Sequence, residues 1–336
     1  PASQCRAAQQ TRRMAERAQS TAGLGNRRGD FLGWCQYAKH KCAGEHQPRQ
    51  LGGASHHSAH ALDRAQDALA GQISCYQQLG KELHGESILT ANVEAEENII
   101  DQVAALGFIR RQTDEPWISC TSSAATLLTW YRNNVLHRFA APALVALLSS
   151  RAREGVKQQQ LAEQCRIIYP FIAQELTTSE ELRLEPVLDV LHRMKLITSE
   201  DGQLWPASKP SEHHEQLLQL STLLLELLQR LYVVICIANQ ALLNRDELRA
   251  LSQASARKLV RLFGLQGAEF SEDRLFDLFI DTLISKQYLT LDEQDRLIAS
   301  SLLHQVAEQA AQQVIDPAIH RALQRVIGSA LHKREG

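Results

Sequence analysis

The chain contains 336 residues, of which 44% are hydrophobic and 22% are charged, and its formal net charge is −2. This composition is typical of globular proteins, and the length leaves room for two or three domains. The nearly neutral charge offers no basic surface of the kind that binds nucleic acid, so we expect no nucleic-acid partner. No stretch approaches the roughly 18 consecutive apolar residues that a membrane-spanning helix requires.

The seven cysteines are widely scattered and form no Cys-x-x-Cys pair. Without that spacing, neither a zinc site nor a redox-active pair is indicated. We therefore expect free thiols, no bound metal and no cofactor. The sequence also lacks a recognisable Ser, His and Asp set, paired carboxylates or a glycine-rich phosphate loop, so these patterns predict no catalytic site.

Residues 1–60 differ from the rest of the chain because they are basic and poor in large apolar side chains. They hold nine Lys or Arg against three Asp or Glu, a net charge of +6. Such a segment buries too little apolar area to offset the entropy that is lost on ordering. Two interpretations are open: a disordered basic arm that touches anionic lipid, or a stretch that is not natural protein sequence.

The first predicted elements lie between residues 61 and 120. A helix is predicted over residues 61–80, and its apolar face comprises Leu62, Leu69, Ile73, Tyr76 and Leu79. Asn92 is predicted to cap a second helix, which Gly107 ends. Residues 108–120 have the pattern of a strand, a turn and a second strand.

Residues 126–148 predict a third helix with one buried face, which Pro142 should kink or restart. Its centre is unusual because it contains two consecutive asparagines, which are poor helix formers. The polar cluster in this helix comprises Arg132, Asn133, Asn134, His137 and Arg138. These side chains could satisfy backbone carbonyls or a carboxylate at a junction between helices. Alternatively, they could contact the phosphate of a lipid head group or a substrate.

A helix followed by a β-hairpin recurs downstream. Residues 184–196 are predicted to be helical, and Asp201-Gly202 is predicted to form the turn of the following hairpin. Residues 274–284 and 288–291 repeat the order of helix and strand. With the hairpin at residues 108–120, this gives three small helix–β-hairpin units that are similar to winged helices. Because the helices before the hairpins carry few basic residues, we interpret them as packing units and keep a winged-helix regulator as the alternative.

Residues 217–243 are the most apolar part of the chain and are apolar on nearly every side, which is typical of a helix in the core of a bundle. The alternative is a surface that a membrane or another domain covers. Asn244 is predicted to cap the next helix, and residues 297–326 form a helical pattern that Asp316-Pro317 interrupts and restarts. The predicted fold class is therefore mainly α, a helical bundle with three small helix–β-hairpin, winged-helix-like units.

Several segments, in a fixed order, resemble a known family. The sequence Tyr131-Arg132-Asn133-Asn134, followed by His137 and an apolar run that contains proline, is similar to a segment of bacterial membrane-bound glycerol-3-phosphate 1-O-acyltransferases. In that family the segment follows the catalytic domain. Residues 168–176 and 259–289 resemble later helices of the family, and the resemblance covers roughly residues 62–315.

The sequence departs from the family in its catalytic motif. The family carries a His with an Asp five positions later, and no His of this chain has an Asp at that distance. His57 comes nearest, with Asp63 six positions on, but one residue of slip turns a helical side chain by about 100°. Phe108-Ile109-Arg110-Arg111 repeats the letters of a family substrate-binding motif. It lies after the expected position of the catalytic domain, so we interpret it as a coincidence.

The resemblance implies that the chain is the non-catalytic C-terminal part of an acyltransferase. The family moves an acyl group from acyl-CoA or acyl-carrier protein to the 1-hydroxyl of glycerol 3-phosphate, the first acylation of phospholipid synthesis. We expect the chain alone to be inactive, and the substrates to bind through the missing catalytic domain. A soluble helical interaction module without enzymatic activity is the alternative.

The resemblance also implies a location and a domain division. We expect a peripheral position at the cytoplasmic face of the bacterial inner membrane, against anionic phospholipid. The expected lipid contact is the apolar run at residues 135–148, beside Arg132, Arg138 and Arg151. Residues 1–60 are treated as a separate segment, and residues 61–336 as the acyltransferase-like region.

Overall fold

The computed structural model of the protein describes residues 57–85, 96–111, 118–119, 122–152, 154–179, 181–263 and 272–335. Within these ranges it contains eleven helices and seven short strands, so the mainly helical fold that the sequence predicted is confirmed. The chain divides into two compact units, Pro1–Phe139 and Ala140–Gly336. The predictions for residues 1–60 fall almost entirely outside the described residues and stay predictions.

The first unit contains two helices, a hairpin and the beginning of a long third helix. These elements are α1 (His57–His84), α2 (Glu96–Ala105), β1 (Arg110–Arg111), β2 (Ile118–Ser119) and α3 (Ser122–Arg151). The predicted apolar face of α1 is buried at Ile73, Tyr76 and Leu79. The Tyr76 ring packs edge-on against the Phe139 ring of α3, with a centroid distance of 5.6 Å. This pair fixes α1 against α3 through an aromatic contact that is favourable in that orientation.

The predicted boundaries in the first unit are largely confirmed. Helix α2 ends two residues before Gly107, and Arg110 pairs with Ser119 in the antiparallel hairpin that was predicted for residues 108–120. Asn92, the predicted cap of α2, lies outside the described residues. Helix α3 continues through Pro142, so of the predicted kink or restart at this proline the restart does not occur, and the kink stays a prediction.

The second unit begins with the remainder of α3 and continues into a small sheet with two helices. These elements are β3 (Val156–Lys157), α4 (Gln158–Glu175), α5 (Leu184–Arg193), β4 (Ile197–Glu200) and β5 (Gln203–Pro206). The sheet order is β3–β5–β4, and both pairs of neighbouring strands are antiparallel. Asp201 and Gly202 join β4 to β5 with φ angles of +51° and +74°. A two-residue hairpin turn requires this left-handed conformation, so the predicted turn is confirmed.

The remainder of the second unit is helical apart from one hairpin. Its elements are α6 (Glu212–Thr222), α7 (Leu225–Ala238), α8 (Arg245–Phe263), α9 (Asp273–Ser285), β6 (Leu289–Leu291), β7 (Leu297–Ala299), α10 (Ser301–Gln313) and α11 (Pro317–Glu335). Asn244 caps α8 as predicted, because its Oδ1 atom accepts a hydrogen bond from the Glu247 backbone N–H at 2.9 Å. Asp316 caps α11 in the same way, through the Ala318 backbone N–H at 2.7 Å. The helical pattern predicted from residue 297 is wrong at its start, because Leu297 pairs with Leu291 in the hairpin.

The single helix predicted over residues 217–243 is wrong in its bounds, because the stretch is divided between α6 and α7 and α7 ends at Ala238. Helix α7 lies in the core of the second unit, as its composition predicted. Every residue from Leu227 to Ala238 is buried, including the polar Gln229 and the charged Arg230. The Arg230 guanidinium forms an ion pair with the Glu175 carboxylate of α4. Within the described residues, no single helix is long and apolar enough to cross a bilayer, whereas α6 and α7 together, bent by 46°, meet that length and composition test.

Candidate functional site

The five residues of the polar cluster on α3 differ in their exposure to solvent. Arg132 is only 5% exposed, Asn134 is exposed, and the other three members are half-buried. The apolar run at residues 135–148 continues the same helix, and all of its large apolar side chains are buried. The expectation that this run contacts lipid is therefore wrong, because those side chains already pack inside the protein.

Arg132 is held by the side chain next to it in the sequence. Its Nε and Nη2 atoms donate hydrogen bonds to the Asn133 Oδ1 atom, at 3.1 and 2.9 Å. A buried guanidinium needs acceptors for its donors, and the neighbouring amide supplies one of them. This contact lies within α3, so both roles that the sequence left open for the cluster stay predictions.

The other well-defined contact of the cluster involves the backbone of Arg138. In an α-helix this carbonyl would accept the N–H of residue 142, but Pro142 has no N–H to donate. The His84 Nε2 atom of α1 lies 3.0 Å from the Arg138 carbonyl oxygen. Because a carbonyl oxygen only accepts, Nε2 carries the proton and donates it. His84 therefore satisfies the backbone group that the proline leaves without a helical partner.

Sequence reasoning did not identify His84. The proline gave a partial signal, since it implies that the carbonyl four residues earlier needs another donor. It could not indicate which donor, because His84 lies 54 residues away in the sequence.

The two sequence matches to family chemistry belong to other elements than the polar cluster. Phe108 and Ile109 are both buried, and the two arginines that follow them form β1. His57 and Asp63 belong to the same helix, α1. Six residues separate these positions by about 9 Å along the axis and about 240° around it, so they lie on different faces of the helix. No group of three or more His, Cys, Asp or Glu in the described ranges could hold a metal ion.

A second polar pair lies on α7 and α11. The Tyr232 hydroxyl is 2.6 Å from the His320 Nδ1 atom. Burial raises the pKa of the Tyr232 phenol, and burial also raises the pKa of the nearby Cys236 thiol to about 12. Both groups are therefore protonated at neutral pH, and neither has the character of an activated nucleophile.

The Tyr232 side chain also borders an apolar cleft between α4, α7 and α10. Its free volume is about 40 Å³, and its lining includes Ile168, Leu231 and Val306. The cleft is small and apolar, and its lining, among the residues that the structure describes, includes no charged side chain.

The chain is similar to a known family over most of its length. A family model described as the glycerol-3-phosphate acyltransferase C-terminal region matches residues 56–292. This match includes all five residues of the polar cluster.

Three relatives carry the name glycerol-3-phosphate acyltransferase. The protein of Aeromonas hydrophila subsp. hydrophila is 33% identical over 240 residues, which cover 68% of this chain and 29% of the relative. That of Pseudomonas paraeruginosa is 31% identical over 280 residues, covering 80% and 33%. That of Pseudomonas fluorescens strain Pf0-1 is 35% identical over 222 residues, covering 63% and 26%. The chain spans a third or less of the length of these curated relatives.

Proposed function

Because this chain belongs to the glycerol-3-phosphate acyltransferase family, through the C-terminal region of that family, we propose that it provides the non-catalytic C-terminal part of such an enzyme. In the proposed reaction, the 1-hydroxyl of glycerol 3-phosphate attacks the acyl thioester of acyl-CoA or acyl-carrier protein. The hydroxyl loses its proton to a general base, and the thiol leaves. The base and the substrate contacts belong to an upstream catalytic domain.

The observation that carries this proposal is the family match over residues 56–292, which is a match to the C-terminal region. The sequence agrees with placing the catalytic base in an upstream domain, because no His of this chain has an Asp five positions later. The His84 side chain, in the first unit, is directed at a backbone carbonyl. Because the Nε2 atom of His84 carries a proton and donates it to that carbonyl, this atom stabilises α3 and is not available to deprotonate a substrate.

In this proposal the polar cluster stabilises α3. Arg132 and Asn133 bind each other, and the Arg138 carbonyl is bound by His84. Asn134, His137 and Arg138 keep partly or fully exposed side chains. These three could contact the catalytic domain or a phosphate group, which makes them the members of the cluster to test for a role beyond the fold.

We also infer that the second unit contains two winged-helix-like modules that serve as support. In the first module, β3 precedes α4 and α5 and pairs with β5 of the following hairpin. The same order recurs where Leu243 precedes α8 and α9 and pairs with Leu297 of β7. The exposed charges of α9 are Asp273, Arg274 and Asp281, a net negative set that is poorly suited to binding phosphates. A supporting or protein-binding role fits these modules better than a regulator that binds DNA.

We further propose that the enzyme acts as a peripheral protein at the cytoplasmic face of the inner membrane, where the product enters phospholipid synthesis. Burial of the large apolar side chains of residues 135–148 excludes them as the lipid contact. Another exposed surface of the chain is therefore required for this part of the proposal.

An acyl-transfer assay tests the assignment of catalysis to another domain. The purified chain, phospholipid vesicles, labelled acyl-CoA and glycerol 3-phosphate are incubated together, and labelled acyl-glycerol 3-phosphate is measured. We expect no product above a blank without protein. Product that depends on the chain would contradict the non-catalytic assignment, and His57→Ala would then be the first variant to examine.

A further inference from the structure

The end of α8 combines exposed cations with exposed apolar side chains. We call this surface the basic tip, and it comprises Arg257, Lys258, Arg261, Leu262 and Phe263. Its three cations are exposed, Leu262 is 63% exposed and Phe263 is 37% exposed. At 100° per residue, the cations and Leu262 fall within an arc of about 140° of the helix, whereas Phe263, its last residue, lies about 100° beyond Leu262. The buried Leu259 also lies outside that arc, so the open side of the tip holds the cations and Leu262, and Phe263 is exposed at the helix end.

The register between α8 and α9 places this surface at the end of a helical hairpin. Arg245 pairs with Asp281 at 2.8 Å, and Arg249 pairs with Asp277 at 3.5 Å. Moving four residues towards the C-terminus of α8 therefore corresponds to moving four residues towards the N-terminus of α9. The same register places residue 253 of α8 opposite residue 273, the first residue of α9. The final residue of α8 lies ten positions further on, about 15 Å past that point.

The charge of the basic tip is not balanced within its own helix. Helix α8 contains no Asp or Glu after Glu247. The last seven residues of the helix therefore carry three positive charges and no negative charge. Glu272 and Asp273, which precede and begin α9, are the next acidic residues that the structure describes.

This combination fits one kind of partner better than others. Exposed Lys and Arg are attracted to anionic head groups, while exposed Leu and Phe insert at the boundary between head groups and acyl chains. An acidic protein surface with an apolar pocket would also complement these side chains, so binding to an acidic protein is one outcome that the test below distinguishes. A bilayer that contains anionic lipid complements both the cations and the apolar side chains.

We propose that the basic tip docks the chain on an anionic phospholipid surface, with its cations at the phosphates and with Leu262 and Phe263 inserted. The proposal rests on the proposed function, in which the enzyme works at a membrane. It identifies the part of the chain that would make the contact.

Co-sedimentation of the full 336-residue chain with vesicles tests the proposal. The vesicles contain phosphatidylcholine alone or phosphatidylcholine mixed with phosphatidylglycerol. The charge variant is Arg257→Gln with Lys258→Gln and Arg261→Gln. Its matched control is Arg166→Gln with Arg183→Gln and Lys209→Gln, which removes three exposed cations from other surfaces. Residues 1–60 are also basic but are common to every variant, so the difference between variants isolates the tip.

A second pair of variants tests the apolar contribution. Leu262→Gln with Phe263→Gln removes the proposed inserting side chains. Leu291→Gln with Ile298→Gln is the control, because these residues of the β6–β7 hairpin are 55% and 42% exposed. Circular dichroism of each variant verifies that the helical fold is retained.

We expect the unaltered chain to bind the anionic vesicles. The charge variant should bind on the order of 100-fold more weakly, because each of the three cations that it lacks contributes about fivefold to the affinity. The apolar variant should bind at least about tenfold more weakly, and both controls should bind like the unaltered chain. Equal binding of the folded charge variant and its control would overturn the basic tip as the docking site. Failure of the unaltered chain to bind would also overturn it, as would binding only to an acidic protein such as a carrier protein. The acyl-transfer proposal is tested by activity and does not depend on these results.

Discussion

The side chain of His84, the last residue of α1, donates a hydrogen bond to the backbone carbonyl of Arg138, in the middle of α3, at 3.0 Å. The carbonyl is available because Pro142 cannot donate to it. One histidine thus allows a proline to lie inside a 30-residue helix without leaving a backbone acceptor unsatisfied.

This relationship predicts a specific coupling between His84 and Pro142. His84→Ala should lower the free energy of unfolding by about 1–3 kcal/mol, because the carbonyl loses its donor. In a Pro142→Ala background the loss should be much smaller, since the introduced alanine has a backbone N–H that can bind the same carbonyl. Urea denaturation of the two single variants and the double variant measures the coupling. An equal effect of His84→Ala in both backgrounds would show that His84 and Pro142 act independently. The control is His332→Ala, which changes an exposed histidine.

The ion pair between Glu175 and Arg230 predicts a large cost for removing one partner. Arg230 is almost completely buried, and the Glu175 side chain is 11% exposed. Glu175→Ala should destabilise the protein by about 3–5 kcal/mol, because it leaves a buried guanidinium without its carboxylate. Replacing both residues, as Glu175→Leu with Arg230→Met, should cost far less.

The measurement is again the free energy of unfolding. The surface pair between Glu181 and Arg183 is the control, since its side chains are 72% and 78% exposed. Glu181→Ala should change the stability by less than about 1 kcal/mol. If Glu175→Ala proved as mild as Glu181→Ala, the ion pair would not contribute to the core in the way proposed.

Gly155 predicts a different effect from another glycine of the same unit. Its φ angle is +73°, and an added Cβ atom would lie 3.0 Å from the side chains of Gln203 and Trp205. Gly155→Ala should therefore destabilise the protein by about 1–3 kcal/mol. Gly328 lies inside α11, and a Cβ atom added there would meet no atom within 4 Å. Gly328→Ala should therefore stabilise the protein by about 0.5–1 kcal/mol. Thermal unfolding followed by circular dichroism compares them, and a shift of the same sign in both would contradict the local geometry.

Cys165 and Cys236 should be protected from alkylation in the folded protein. Both thiols are buried, and burial raises the pKa of each to about 12. The reactive thiolate is therefore rare at pH 8, and the reagent cannot reach the sulfur. Iodoacetamide labelling followed by peptide mapping should find both residues unmodified without denaturant and modified in urea. Rapid labelling of either residue under native conditions would show that its helix is not packed as described.

Features that depend on neighbouring residues could be predicted from the sequence. Asn244 and Asp316 cap their helices through residues two or three positions away, and Asp201-Gly202 forms its turn with its own φ angles. The composition of α7 predicted its burial, because a helix that is apolar on nearly every side has few other stable positions.

Features that depend on distant residues could not be predicted in the same way. His84 and Arg138 are 54 positions apart, and Glu175 and Arg230 are 55 positions apart. Strand β3 has only two residues, and it is defined by its pairing with β5 rather than by any pattern of its own. The apolar run at residues 135–148 has the composition of a lipid contact, and only the tertiary structure shows that it is buried.

The central claim is that this chain completes an acyltransferase without supplying its catalytic groups, and complementation tests it most directly. The upstream part of the Aeromonas hydrophila relative is produced with and without residues 57–336 of this chain fused in place of its own C-terminal region. Transfer of a labelled acyl group to glycerol 3-phosphate is then measured in membranes that lack this activity. We predict that the fusion forms product and that neither part does so alone. Product from this chain alone would contradict the claim, and so would a folded fusion that is no more active than the truncated relative.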